Sequence, residues 1–493
     1  ECAAVHAMER RVREEIHVSD HAPASLQMLL IDGEGEDRDE HMEVRNPFTG
    51  DRVAEVAQAT EADVHRAVAE ARRRVGVHPP AVRAEILEAA SRMVASRHEE
   101  FATAIMLEAG KPLAQARGEV TRCIDTLTFS AVEARTLAGE MVPMESARSG
   151  IGKLGVVMRE PIGVVGAVSP FNFPLNLVAH KLGPAIAAGC PVVLKPAGQT
   201  PISALLLGRV LFECGLQSGD LAVLPGPGGS VGAALVSHPD VPMITFTGSS
   251  AVGWGIRRDQ PRKHVSLELG NSTPAIVHED ADLERAAARI AGSGFTHAGQ
   301  SCISVQRVYV HESCVDTFTE LLLARVGELV VGDPADPDTD VGPVIDADAR
   351  ERIDAWIDEA ESAGATVLQT GETRGMRHPT LLADVPDDAR LIVDEVFGPV
   401  VSVQRYRDID EAITRANGTP YGLQAGIFTR SVDRAIGWAR RLQFGGVTIN
   451  ETPTFRADQQ PYGGINESGN TREGPRYAVE SMTERRLVII DGL

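Results

Sequence analysis

PVVLKPAGQTPISALLLGRVLFECG, residues 191–215, opens as a short apolar strand, passes through a turn marked by Gly198 and two prolines, and continues as a helix rich in leucine. The same alternation extends outward, with a strand-like run GVVGAVSP at 163–170 before it and MITFTG at 243–248 after it. Strands alternating with helices predict βαβ units and a parallel sheet. A second such block begins with the strand PAIV (274–277) and the helix DADLERAAARIAGSGF (280–295). It runs past Glu395 to strands near GIFTR (426–430) and GVTIN (446–450). Neither an internal repeat nor a low-complexity linker separates the blocks, so they are expected to pack together around a cleft. Ligands of such sheets bind at the carboxyl ends of the strands.

Upstream the chain reads as mainly helical. NPFTGDRVAEV, from Asn46, suggests turn and strand. Thr60 then opens a helix, with Asp63 in capping-box position and Val64, Ala67, Val68 and Ala71 on one face. Helical periodicity continues over 82–110 and again near Arg122. Residues 141–161 alternate polar with apolar residues and fit a projecting hairpin. The C-terminal RRLVII (485–490) has the composition of its partner strand, and pairing between subunits would cover both edges. The opening ECAAVHA, before Met8, and the first forty or so residues are read as weakly structured at the start and uninformative about chemistry.

Composition narrows the function. The 493 residues, 43% hydrophobic, suffice for two or three domains, and a 4% aromatic content suits strands packed closely on helices. A net charge of −21 disfavours a nucleic-acid partner and is read as a solvated surface. No apolar run is long enough to span a bilayer and no export signal pattern is present, so a cytoplasmic location is expected. The six cysteines, at 2, 123, 190, 214, 302 and 314, form no CxxC pair, so neither a disulfide framework nor a metal site is expected.

A few residues could carry chemistry, each against a plainer alternative. Gly248-Ser249-Ser250-Ala251-Val252-Gly253, after MITFTG, could place backbone N–H groups against a phosphate, or be an ordinary turn. Gly226–Gly229 offers a second loop of that kind, and Lys195 is either delivered into the cleft or exposed at a strand end. Glu268, among leucines in LELG, would have a raised pKa and serve as a general base, or simply face outward from an edge strand. Cys302 follows small neighbours in GQSC, which suits an accessible thiol; composition alone leaves it among six cysteines.

Taken together, SPFNFPL (169–175), LELG (267–270), GQSC (299–302), EVFGPV (395–400) and PYGG (461–464) resemble the aldehyde dehydrogenase superfamily, in order and spacing, from about Asn46 to the C-terminus. The resemblance implies an α/β fold with a Rossmann-like cofactor domain (40–140 and 162–272), a catalytic α/β domain (273–476) and a small β bridging element (141–161 and 477–493). It implies Cys302 as nucleophile, forming a thiohemiacetal and then a thioester, with Asn172 and the Cys302 N–H at the oxyanion and Glu268 activating water. It implies NAD or NADP, held by Ser169, Lys195, Gly198, Gly228, Gly248, Ser249, Val252, Glu395 and Phe397. A homodimer or homotetramer is expected.

Departures refine this. Gly198 stands where many relatives carry an acidic residue against a 2′-phosphate, which leaves NADP open beside NAD. Asn271 replaces the second glycine of the usual LELGG, and Asn466 and Asn470 alter the late motif. TFRADQQPYGG (454–464) is similar to lactaldehyde-like and phosphonoaldehyde-oxidising relatives. Arg456 there, Arg122 upstream and Ser301 are candidates to contact a small polar or anionic aldehyde (a hydroxyaldehyde, semialdehyde or phosphonylated aldehyde), while either arginine could instead form a structural salt bridge. Three rivals are weighed. A coenzyme A-acylating semialdehyde dehydrogenase would not need Glu268, a phosphorylating dehydrogenase would pair its cysteine with a histidine such as His297, and a non-catalytic relative should have lost Cys302, Asn172 or Glu268.

Overall fold

The computed structural model describes residues 25–492; ECAAVHA, Met8 and Cys2 lie outside them. The 191–215 stretch forms the strand Val192–Lys195 and the helix Ile202–Glu213. Gly208 is what lets that helix lie close on its sheet: a Cβ there would sit 2.6 Å from Leu30 and 3.1 Å from Val223. Thr60 caps the helix Glu61–Arg72 through a capping box with Asp63, and the apolar face expected for this helix is buried.

The first sheet has seven strands, ordered His264–Glu268, Met243–Thr247, Val165–Val168, Val192–Lys195, Leu221–Val223, Leu29–Ile31 and Glu34–Glu36. Its first five strands are parallel, and the last two are antiparallel additions. These additions carry the sheet into the first forty residues, whose start, 1–24, lies outside the described residues. Leu29 and Ile31 are almost wholly buried, and the three-residue LLI run, too short to show periodicity, closes a sheet edge. Helices cover both faces, with separate cores around Leu87, Leu127 and Leu205 on one and Val68, Ile244 and Leu267 on the other.

The second sheet is ordered Thr366–Gln369, Thr380–Ala383, Val400–Tyr406, Val305–His311, Thr273–Val277, Gln424–Phe428 and Gly446–Ile449, and is parallel except at its first pair. The chain leaves the first sheet at Glu268 and enters the second at Thr273. The carboxyl ends of the first sheet therefore face the amino ends of the second. This amends the expectation that ligands meet carboxyl ends alone. Cys302 lies three residues before the strand Val305–His311, and Glu395 five before Val400–Tyr406.

Residues 141–161 do form a hairpin, Glu140–Val142 against Lys153–Pro161. Its partner is the C-terminal strand Thr483–Asp491 of the same chain, paired over its full length, Thr483 with Pro161 through Asp491 with Lys153. Leu487, Val488, Ile489 and Ile490 remain 38–51% exposed on that strand. Its outer edge pairs with no strand among the described residues.

Candidate active site

Register in the first sheet sets Val168, Lys195, Thr247 and Glu268 side by side, because Val168 pairs with Lys195 and with Phe246, and Thr247 with Glu268. Beyond these ends, Lys195, Gly228 and Val252 line a cavity of about 490 Å³ with Val168, Phe246 and Ile256. Burial lowers the Lys195 pKa, and among the described residues its ammonium donates only to Pro196 O, at 3.0 Å. The Ser169 hydroxyl is buried without a partner. A Cβ at Gly228 or Gly229 would meet nothing within 4 Å. Gly248 and Ser249 form the turn into the helix Ser250–Asp259, and Ser249 makes no side-chain cap. Unpaired donors, a buried cation and a glycine cradle at a helix N-terminus fit a dinucleotide. Gly198 has only the Met42 methyl, 3.6 Å from a Cβ position, as neighbour.

Glu268 ends an edge strand, as the plainer reading held, yet it is buried. The segment 468–470 closes over that edge. Asn470 accepts from Leu267 N at 2.9 Å and donates through its side chain to Val265 O at 2.9 Å. Its amide thus does the work of a neighbouring strand, which explains that departure physically. Asn466 takes a left-handed φ of 54°, which asparagine tolerates better than most residues. Asn271 donates to Thr273 Oγ1 and Gln424 O, tying the exit of one sheet to the other.

Both Glu268 oxygens are buried without hydrogen bonds among the described residues. Burial, then the Glu473 charge, pushes its pKa well above the carboxylate range, against Arg456, Lys181 and Arg472. For Glu473 burial also acts upward, but Lys181 and Arg456 outweigh it and bring its pKa down to about 2. Arg456 donates to Glu473 at 3.0 Å, and Lys181 lies 3.6 Å away. One carboxylate of the pair is therefore held ionised while the other is poised to hold a proton.

Cys302 is half-buried, its sulfur 3.0 Å from the Tyr462 hydroxyl. Burial pushes the thiol up to about 12, opposed by that hydrogen bond and by Arg456. Asn172 donates to Gln300 O at 2.9 Å, and its Oδ1 is buried and unpaired. The loop carrying Asn172 is braced by Glu119, which accepts from Leu175 N (2.9 Å) and Asn176 N (3.1 Å) and pairs with the buried Lys111. The Lys111 ammonium in turn sits 3.8 Å from the Phe173 ring centre.

On the second sheet's side, Glu395 accepts from Asn271 N at 3.1 Å, and burial lifts its pKa to about 7. Phe397 has φ 49° and meets Phe171 edge-on. Ser301 turns its hydroxyl toward Ile303 N, at 3.4 Å. Arg122 and Arg456 both enter salt bridges. Arg122 grips Asp458 through two bonds (2.8 and 3.1 Å), and Asp458 also meets His180 at 2.9 Å. Arg456 touches His180 at 3.1 Å and covers the Tyr462 ring, 3.8 Å from its centre. A contiguous wall therefore runs from Arg122 through Asp458, His180, Arg456 and Tyr462 to Cys302. His297 does not partner the cysteine: both its ring nitrogens are buried and unpaired among the described residues. Lys181, Glu473, His180, Asp458, Lys111 and Glu119 were not picked out from sequence, because a charged residue paired across distant segments leaves no periodic signal.

Among the described residues, Cys123, Cys190, Cys214, Cys302 and Cys314 are free, no cluster of His, Cys, Asp and Glu could hold a metal ion, and no helix is long and apolar enough to cross a membrane. Residues 34–488 match the model of the aldehyde dehydrogenase family. The chain is 46% identical over 465 residues to the 3-sulfolactaldehyde dehydrogenase of Priestia megaterium, covering 94% of this chain and 98% of that protein. Among solved structures it resembles aldehyde dehydrogenase 21 from Physcomitrella patens in complex with the reaction product succinate, with TM-score 0.93, 38% identity and coverage of 96% and 99%. It also resembles glyceraldehyde-3-phosphate dehydrogenase from Methanocaldococcus jannaschii complexed with NADP, with TM-score 0.88, 35% identity and coverage of 92% and 100%.

Proposed function

The chain belongs to the aldehyde dehydrogenase family, and from that premise we propose that it oxidises a small anionic aldehyde to the acid through a thioester on Cys302. It is an NAD(P)-dependent aldehyde dehydrogenase. Cys302 Sγ bonds to the aldehyde carbon, and the Asn172 amide and the Cys302 N–H receive the oxyanion. NAD or NADP, when bound, would supply the hydride acceptor for this oxidation. Glu268 then takes a proton from water, whose oxygen attacks the thioester, freeing the acid and the thiol. Lys195, Ser169, Gly228, Gly248, Ser249 and Val252 hold the adenosine and pyrophosphate, with Gly198 beside the ribose. Glu395 and Phe397 hold the nicotinamide end. Residues 40–140 and 162–272 make the cofactor half, 273–476 the catalytic half, and 141–161 with 477–493 the bridging element.

Arg122 carries the substrate reading. Asp458 occupies its Nε and Nη2, leaving Nη1 on a guanidinium that is 28% exposed at the open end of the wall. Arg456, only 5% exposed and bound by Glu473, is committed to the interior. A sulfonate, carboxylate or phosphonate on the far end of the aldehyde would meet Arg122. The names of the relatives, one acting on sulfolactaldehyde and one holding succinate, agree with such a substrate. The test is an initial-rate screen, with NAD and with NADP, of sulfo-, carboxy- and hydroxyaldehydes against uncharged alkanals of equal length. Preference for the alkanals would overturn the reading. The exposed apolar strand Thr483–Asp491 supports a homodimer or homotetramer, and a free catalytic thiol suits the reducing cytoplasm.

A further inference from the structure

We propose that Tyr462 is a catalytic residue, its hydroxyl donating a hydrogen bond to the Cys302 thiolate and so keeping the nucleophile ionised and aimed. This rests on the reading of Cys302 as nucleophile. The hydroxyl lies 3.0 Å from Sγ, the only side-chain hydrogen bond of that sulfur among the described residues.

Three constraints fix the phenol there. Its backbone exchanges hydrogen bonds with Glu473 in both directions. Its ring, 3% exposed, packs with Ile303 and Leu423. The Arg456 guanidinium, itself held by Glu473 and His180, lies over the ring face at 3.8 Å. A cation over a phenol draws electron density from the ring and makes its O–H a stronger donor. Around the sulfur, burial and the carboxyls of Glu268 and Glu395 all favour the neutral thiol. Tyr462 is the group in direct contact that favours the thiolate, and Arg456 assists through the ring. When the thiol is neutral its S–H can donate to the phenol oxygen. When the proton leaves, rotation of the phenol O–H alone reverses the bond, with no heavy atom moved.

A hydrogen bond to a charged group makes the thiol roughly ten- to a hundredfold more acidic. Greater acidity costs some nucleophilicity, with a Brønsted slope of about 0.4–0.5, so the net gain in reaction rate below the thiol pKa is about three- to tenfold. In Tyr462→Phe, which keeps the ring under Arg456, Cys302 alkylation by iodoacetamide should be about three- to tenfold slower at every pH from about 6 to 9. It is followed by mass spectrometry of the Cys302 peptide, and kcat/KM should fall with an unchanged melting temperature. Replacing the tyrosines with 3-fluorotyrosine, a more acidic phenol, should speed Cys302 alkylation in the native background and not in Tyr462→Phe. Equal or faster alkylation in Tyr462→Phe overturns the proposal. If that variant does not fold, the fluorotyrosine enzyme decides, and an unchanged rate there overturns it too. The Cys302→Ala control separates the premise: an active Cys302→Ala enzyme sinks the nucleophile itself, whereas a dead one beside unaltered Tyr462→Phe alkylation sinks only the role of Tyr462.

Discussion

Gly270→Ala tests the cofactor end of the site with a single methyl group. Gly270 has no left-handed φ, so alanine fits the backbone, and the only consequence is where the Cβ goes. It would lie 2.7 Å from the Glu395 carboxyl carbon, with Oε2 closer still. Ordinary contact begins at 3.4 Å, so the carboxyl carbon must retreat by about 0.7 Å, and its bond from Asn271 N lengthens or breaks. A carboxylate that holds the nicotinamide ribose would be misplaced by most of an ångström, and errors of about 1 Å cost on the order of a hundredfold. Expected is a ten- to hundredfold drop in kcat/KM for NAD and NADP, carried by a higher cofactor KM. The melting temperature and Cys302 alkylation should stay near native. The native enzyme offers a second reading through pH. Glu395 ionises only above about 7, so cofactor affinity should weaken as pH falls through 7 and the carboxylate takes up its proton. That dependence should flatten in Gly270→Ala. Steady-state kinetics with varied cofactor and calorimetric titration measure both effects. A folded variant with native cofactor KM would refute a cofactor role for Glu395.

The other substitutions separate the chemical steps. Cys302→Ala should abolish NAD(P)H formation, while Glu268→Gln should give a burst of about one NAD(P)H per site and then stall, with a thioester recovered on acid quenching; steady turnover in Glu268→Gln would show that another base serves hydrolysis. Because burial and Glu473 raise Glu268, hydrolysis should rise with pH above the ordinary carboxylate range, where Glu268 loses its proton. Glu473→Gln removes one of those causes and should move this limb to lower pH. It should also destabilise the fold by roughly 3–5 kcal/mol, since Lys181 and Arg456 lose a buried partner; an unmoved limb would mean that hydrolysis does not report Glu268. Arg122→Leu should raise KM about tenfold or more for sulfo- and carboxyaldehydes and leave propanal unchanged, a charged hydrogen bond contributing about 1.5–3 kcal/mol. Equal losses for both classes would assign Arg122 to structure.

What could be read from the sequence follows from the range of the forces involved. The strand–helix alternation of 163–248 is local, so the parallel sheet was legible, and Thr60 with Asp63 announced its helix three residues apart. Ser169, Lys195, Glu268, Asn172 and Cys302 stand out as candidates because each lies at the end of a recognisable strand or within a motif, and Gly228 because it falls in a glycine-rich loop. The second sheet's polarity was not legible, because nothing local states that its amino ends, rather than its carboxyl ends, face the first sheet. Glu473 and Lys181 matter to Glu268 only through Coulomb interaction across segments about ninety to two hundred residues apart in the chain. Tyr462 was visible only as a letter in PYGG, and its hydroxyl acquires meaning from a contact with residue 302. The Asn470 departure, opaque as text, became a strand substitute once its amide was seen between Leu267 and Val265.

Charge is where local and global readings part. The chain carries −21 overall, which speaks against anionic ligands, yet the wall beside Cys302 sums differently. Arg122, Arg456 and Lys181 stand against Asp458 and Glu473, both held ionised by their cations, while burial keeps His180 below its usual range and Glu268 above its own. Burial lowers the Lys181 pKa and Glu473 holds Arg456 in the interior, and Arg122 is the cation of the wall that reaches solvent. Screening over about 8 Å at physiological salt removes most of the distant surface charge from this balance, whereas the groups of the wall, in contact and largely buried, are screened little. An anionic aldehyde at the Arg122 end would pair with that guanidinium, and an alkanal would not. On the proposed reading, substrate preference follows from this one exposed cation and not from the net charge of the chain, whose distant groups are screened.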